Sequence, residues 1–116
     1  MPLIELDTSC DLDAGKKQSL VASLSRVVAE GTGKPEQYVM ACVRDRVAMT
    51  MSGTGGPCAL VTIKGIGGLS KTVNQALAGK ITQMLQKELA IPGDRVYITF
   101  QELDAGHWAW NGKTFG

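Results

Sequence analysis

Pro2 is the residue of this sequence best suited to do chemistry. Initiator methionine is normally clipped when the next residue is small, and proline qualifies. The mature chain would then start with a free secondary amine joined directly to the apolar segment Leu3-Ile4. An ordinary α-amino group titrates at roughly 7.7–8.0. Apolar burial or a nearby cation disfavours the charged form and lowers that value. Such an amine is a neutral base at physiological pH, able to take a proton from carbon beside a carbonyl. Taken alone, Pro2 fits a simpler role much better, as the rigid first residue of an edge strand. No other group stands out as strongly. His107 is the single histidine and reads as a surface residue. The three cysteines, Cys10, Cys42 and Cys58, have neither framework nor metal-site spacing.

The whole chain bounds what that amine can be part of. At 116 residues, 44% hydrophobic and 20% charged, it reads as one soluble globular domain over residues 1–116. A formal net charge of +1 argues for neither a nucleic-acid partner nor an anionic membrane surface. No apolar run approaches the roughly 20 residues of a membrane span. Glu5 and Asp7 interrupt the apolar start, so no signal peptide is expected. The odd cysteine count suggests a reducing compartment, and cytoplasmic location is the expectation, with non-classical export left open.

The elements that must position the amine follow from periodicity. Pro2 to Leu6 reads as a strand. Asp13 is placed to cap a helix from Ala14 to about Glu30, in which Leu20, Val21, Leu24, Val27 and Val28 share one face and Gly31 and Gly33 supply the stop. Lys34 to Gln37 is a loop, Tyr38 to Arg44 a strand, and Val47 to Met51 a short further strand segment. After a glycine-rich connection, Cys58 to Lys64 is the next strand and Gly65 to Gly68 breaks it. Ser70 caps a second helix whose apolar stripe runs from Val73 to Leu89, with Pro92-Gly93 ending it. Arg95 to Leu103 alternates as a strand, and Asn111-Gly112 marks a terminal hairpin.

Each half therefore reads strand, helix, strand. Two βαβ units would make an α/β fold with pseudo-twofold symmetry, a four-stranded sheet and both helices on one face. Leu3-Ile4, Ala59-Leu60-Val61 and Ile63 suggest strands apolar on both sides. Two helices cannot cover two faces, so a homo-oligomer is expected.

Taken together, Met1-Pro2, Thr32-Gly33-Lys34-Pro35-x-x-Tyr38, Pro57-Cys58-Ala59-Leu60, the Ile66-Gly67 turn, Asp94-Arg95-Val96-Tyr97-Ile98 and Trp110-Asn111 through Thr114-Phe115 resemble the macrophage migration inhibitory factor family of the tautomerase superfamily. The resemblance runs from residue 2 to residue 115. It implies a homotrimer with active sites between subunits and keto–enol tautomerisation of phenylpyruvate-like α-keto acids, with no cofactor and no metal. By the same resemblance Pro2 is the base, and Lys34 and the Ile66 N–H hold the substrate carboxylate. Tyr97 comes from a neighbouring subunit, and Tyr38 and Phe115 form aromatic walls. Thr99 stands where the vertebrate cytokines of the family commonly have asparagine, and Trp108 stands at the pocket rim where they have a small aliphatic residue. Val61 replaces the second thiol of their Cys-x-x-Cys motif, so no dithiol chemistry is expected at Cys58. A binding protein with a vestigial pocket and a protein receptor, or a dopachrome-type decarboxylase, are the alternatives.

Overall fold

A computed structural model describes residues 1–116. Strands β1 (Pro2–Thr8), β2 (Met40–Arg44), β3 (Ala59–Gly65) and β4 (Val96–Glu102) form one mixed sheet in the order β2-β1-β3-β4. β1 runs parallel to β2 and antiparallel to β3, and β3 runs parallel to β4. Helices α1 (Ala14–Thr32) and α2 (Lys71–Leu89) are the two crossovers. A separate two-stranded hairpin, β5 (Ala109–Trp110) and β6 (Lys113–Thr114), closes the chain. The two expected strand–helix–strand units are present.

The core lies between the helices and one sheet face. Ile4, Leu6, Val61 and Ile63 of the sheet meet Leu20, Leu24 and Val28 of α1 and Leu77, Ile81 and Leu85 of α2. All are buried, and each contributes on the order of 1.5–3 kcal/mol by leaving water. Both expected helix caps form: Asp13 accepts from the Lys16 N–H at 2.7 Å and Ser70 from the Val73 N–H at 3.2 Å.

The other sheet face departs from expectation. It carries Glu5, Asp7, Arg44, Thr62 and Lys64 among Leu3, Met40, Leu60 and Tyr97. Arg44 donates to Asp7 at 2.6 Å and to Glu5 at 2.8 Å, so the middle of this face is ionic. Apolar neighbours along a strand, such as Leu3 and Ile4, concealed a charged residue at every second position beyond them.

Four local readings change as well. Tyr38 belongs to a 3-10 turn, Glu36–Tyr38, because Pro35 leads the chain through one tight turn before β2 begins. Residues 47–51 form no strand. Arg46 takes a left-handed conformation at φ 54, and Met51 bridges only to Thr54 around Ser52-Gly53. Gly31 lies within α1, which Gly33 terminates at φ 71. α2 ends at Ala90, left-handed at φ 55, ahead of Pro92-Gly93.

Candidate active site at the N-terminal amine

Pro2 is buried at the first position of β1, opposite Gly65. β1 lies between β2 and β3, so Pro2 does not begin an edge strand. Pairing with β2 starts only at Leu3, opposite Met40, and a first strand position tolerates the missing N–H.

A hollow of about 300 Å³ opens beside it, walled by Met1, Tyr38, Trp108, Trp110 and Phe115. Three parts of the fold converge there. The 3-10 turn brings Tyr38, the start of β1 brings Pro2, and the terminal hairpin brings Trp108, Trp110 and Phe115. The Phe115 N–H donates to the Trp108 carbonyl at 3.0 Å, which ties the two ends of the hairpin together. Asn111 at φ 52 and Gly112 at φ 81 make the tight turn between its strands. Trp110 is 60% exposed and Met40, at the same hollow, 64% exposed, so much apolar surface faces water here.

The chain retains Met1 in this structure, so the free amine belongs to Met1, and the Pro2 nitrogen is an amide. The Met1 amine marks the electrostatics one residue upstream of the Pro2 nitrogen. Its pKa lies below the ordinary α-amino value, first because of burial and second because of the positive charge on Lys34.

Lys34 is half-buried and directly follows the α1 cap at Gly33. Its N–H donates to Thr32 Oγ1 at 3.3 Å, and that hydroxyl donates to the Val28 carbonyl at 2.6 Å. The lysine stem lies against the turn that follows β3. Gly67 and Gly68 have φ values of 70° and 82°, and a Cβ built on Gly68 would stand 3.1 Å from Lys34 Cε. Ile66 opens this turn, next to Gly65, the partner of Pro2. None of the 17 backbone hydrogen bonds of turns, loops and caps uses the Ile66 N–H. The turn is anchored by the Leu103 N–H on the Gly65 carbonyl at 2.8 Å and by the Leu69 N–H on Glu102 Oε1 at 2.9 Å.

Pro2, Tyr38, Trp108 and Phe115 thus share one hollow, with Lys34 and Ile66 close to the amine. Tyr97 and Thr99 lie elsewhere in the chain. Tyr97, 66% exposed, lines another hollow of about 450 Å³ with Met49, Met51, Cys58 and Leu60. Thr99 is exposed on β4, opposite Thr62. Trp110 and Met40 were not anticipated as site residues. The Trp-x-Trp spacing flanking Ala109 was the available signal for Trp110. A larger hollow, about 770 Å³, lies beyond the opposite end of β1, where Lys16 and Glu88 pair at 3.0 Å. It is remote from the amine. No group of three or more His, Cys, Asp or Glu side chains is placed to hold a metal ion. No helix is long and apolar enough to cross a membrane. The cysteines are all free, with Cys58 buried.

The family model for macrophage migration inhibitory factor matches residues 1–116. The macrophage migration inhibitory factor homolog of Brugia malayi is 38% identical over 116 residues, all of both chains. The macrophage migration inhibitory factor of Rattus norvegicus is 34% identical over 115 residues, 99% of each chain. Among solved structures, a macrophage migration inhibitory factor homologue from Prochlorococcus marinus superimposes with a TM-score of 0.93 at 39% identity, covering 98% of this chain and 99% of that one.

Proposed function

This chain belongs to the macrophage migration inhibitory factor family, and on that premise we propose that it is a cofactor-free keto–enol tautomerase of phenylpyruvate-like α-keto acids, with Pro2 as the base once Met1 is removed. The observation that carries the reading is the chain start at the aromatic hollow, where burial and Lys34 lower the pKa of the Met1 amine and would act in the same direction on a Pro2 amine. A neutral amine there takes the proton from the carbon beside the ketone, while the ketone oxygen gains one to form the enol. The protonated amine returns its proton to carbon in the reverse direction. Lys34 and the Ile66 N–H hold the carboxylate, and the aromatic ring rests among Tyr38, Trp108 and Phe115.

Tyr97 and Thr99 enter the same site from a neighbouring subunit of a homotrimer. The separation of Tyr97 from Pro2 within one chain, and its high exposure beside Leu60, support that arrangement. Light scattering should then give about three times the 12.3 kDa chain mass.

The deciding experiment compares protein of confirmed intact mass lacking Met1 with protein carrying an uncleaved N-terminal extension. The first should convert phenylpyruvate enol to the keto form and the second should be nearly inactive. Equal activity in both would rule out Pro2 as the base.

A further inference from the structure

Two hollows meet at Trp108. Beside the hollow at the amine lies a second one of about 250 Å³, lined by Leu3, Lys64, Leu103, His107, Trp108 and Ala109. Leu3, Trp108 and Ala109 line both, so Trp108 is the ridge between them. Lys64 pairs with Leu3 across β1 and β3, one position from the Gly65–Pro2 pair. A cation other than Lys34 therefore borders the candidate site.

Lys64 is half-buried and, like Lys34, forms no ion pair within the chain, whereas the half-buried Lys16 and Lys17 do. No side-chain hydrogen bond engages its ammonium either. His107, in the same hollow, is 73% exposed with its Nδ1 3.9 Å from Asp104 Oδ2. A partly desolvated ammonium with no anion of its own gains more from a ligand's anion than one already paired.

We propose that Lys64 is a second anion-binding group of the substrate site, so that the site favours aromatic acids bearing a further acidic substituent on the ring. The ring lies against Trp108, and the substituent passes over the indole edge to Lys64. The proposal rests on the reading of the Pro2 hollow as the substrate site and adds to it a preference for dianions.

Binding of unreactive ligands tests this independently of turnover. Calorimetry would be run on the full chain lacking Met1, with phenylpropionate as the monoanion and para-carboxyphenylpropionate as the dianion. The dianion should bind about tenfold more tightly, the scale of one added charge-assisted contact. Lys64→Gln should abolish that preference with little change for the monoanion, and Lys64→Arg should keep part of it. Lys34→Ala should weaken both ligands alike. Equal affinities for the two ligands in the unmodified protein, no binding of either, or a preference that survives Lys64→Gln would overturn the proposal. A dianion preference in a protein without tautomerase activity would refute Pro2 as the base while upholding Lys64.

Discussion

Lys34 lies across Gly68, so closely that a Cβ on Gly68 would stand 3.1 Å from Lys34 Cε and 3.9 Å from Nζ. Gly68→Ala should therefore displace the ammonium and raise KM for a carboxylate substrate several-fold. The neighbouring glycine supplies the control. Gly67 is also left-handed, at φ 70, but a Cβ there would meet nothing within 4 Å. Both substitutions should cost about 1–2 kcal/mol in backbone strain. Thermal melts should show similar losses for the two, while only Gly68→Ala moves KM. A matching rise in KM for Gly67→Ala would detach the effect from Lys34.

The amine gives a pH prediction with a definite sign. A proline base must be neutral to accept a proton, so under the proposed function kcat/KM should rise as pH increases through the amine pKa. Burial and Lys34 both lower the pKa of the Met1 amine; the same surroundings act on a Pro2 amine, so the rising limb should fall below the ordinary α-amino range. Lys34→Ala removes the smaller of the two causes. The limb should then move to higher pH without reaching the ordinary value, and KM should increase because the carboxylate loses its cation. An unmoved limb with unchanged KM would make Lys34 a bystander.

Glycine should be more stabilising than alanine at two helix positions, for different reasons. Gly31 is inside α1, where alanine would ordinarily gain about 1 kcal/mol. A Cβ there would come within 2.5 Å of Leu77 Cδ2, and Leu77 is fully buried in α2. Overpacking of this kind costs about 1–3 kcal/mol, so Gly31→Ala should lower the urea midpoint. Ala90 holds the left-handed position that ends α2 at φ 55, its N–H bonded to the Gln86 and Leu85 carbonyls. Ala90→Gly should raise the midpoint by removing about 1 kcal/mol of strain.

Arg95 organises the connection that precedes β3. Its guanidinium donates to the carbonyls of Met51, Thr54, Gly55 and Pro57 and to Thr54 Oγ1, at 2.9 to 3.2 Å. Lysine cannot reproduce this fan of donors from one point. Arg95→Lys should increase amide exchange selectively across residues 51–57, leaving the core strands protected. Uniform exchange changes throughout the chain would assign Arg95 to global stability instead.

The local signals in the sequence carried the fold well. Asp13 and Ser70 announced the helix starts, and Asn111-Gly112 announced the hairpin, because capping and tight turns depend on adjacent residues. Contacts distant in sequence were illegible. Gly31 looked like a helix stop because nothing nearby disclosed its approach to Leu77. The ionic sheet face was missed for a similar reason: Arg44 meets Glu5 and Asp7 only once β2 pairs with β1. At the site, Pro2, Tyr38, Trp108 and Phe115 were legible through motif resemblance and share one hollow. Lys64 carries no motif, and the role proposed for it rests on pairing with Leu3 and on sharing a hollow with Trp108.

The hairpin of β5 and β6 forms a sheet of its own, apart from the four strands that hold the core. Its three aromatic residues at the hollow, Trp108, Trp110 and Phe115, lie outside the buried core cluster. This part of the aromatic wall is thereby separate from the residues that hold the core together. Substitutions at Trp108, Trp110 and Phe115 can redraw the aromatic wall without removing a side chain from the buried core, so a library restricted to these three positions would sample new selectivities on one scaffold.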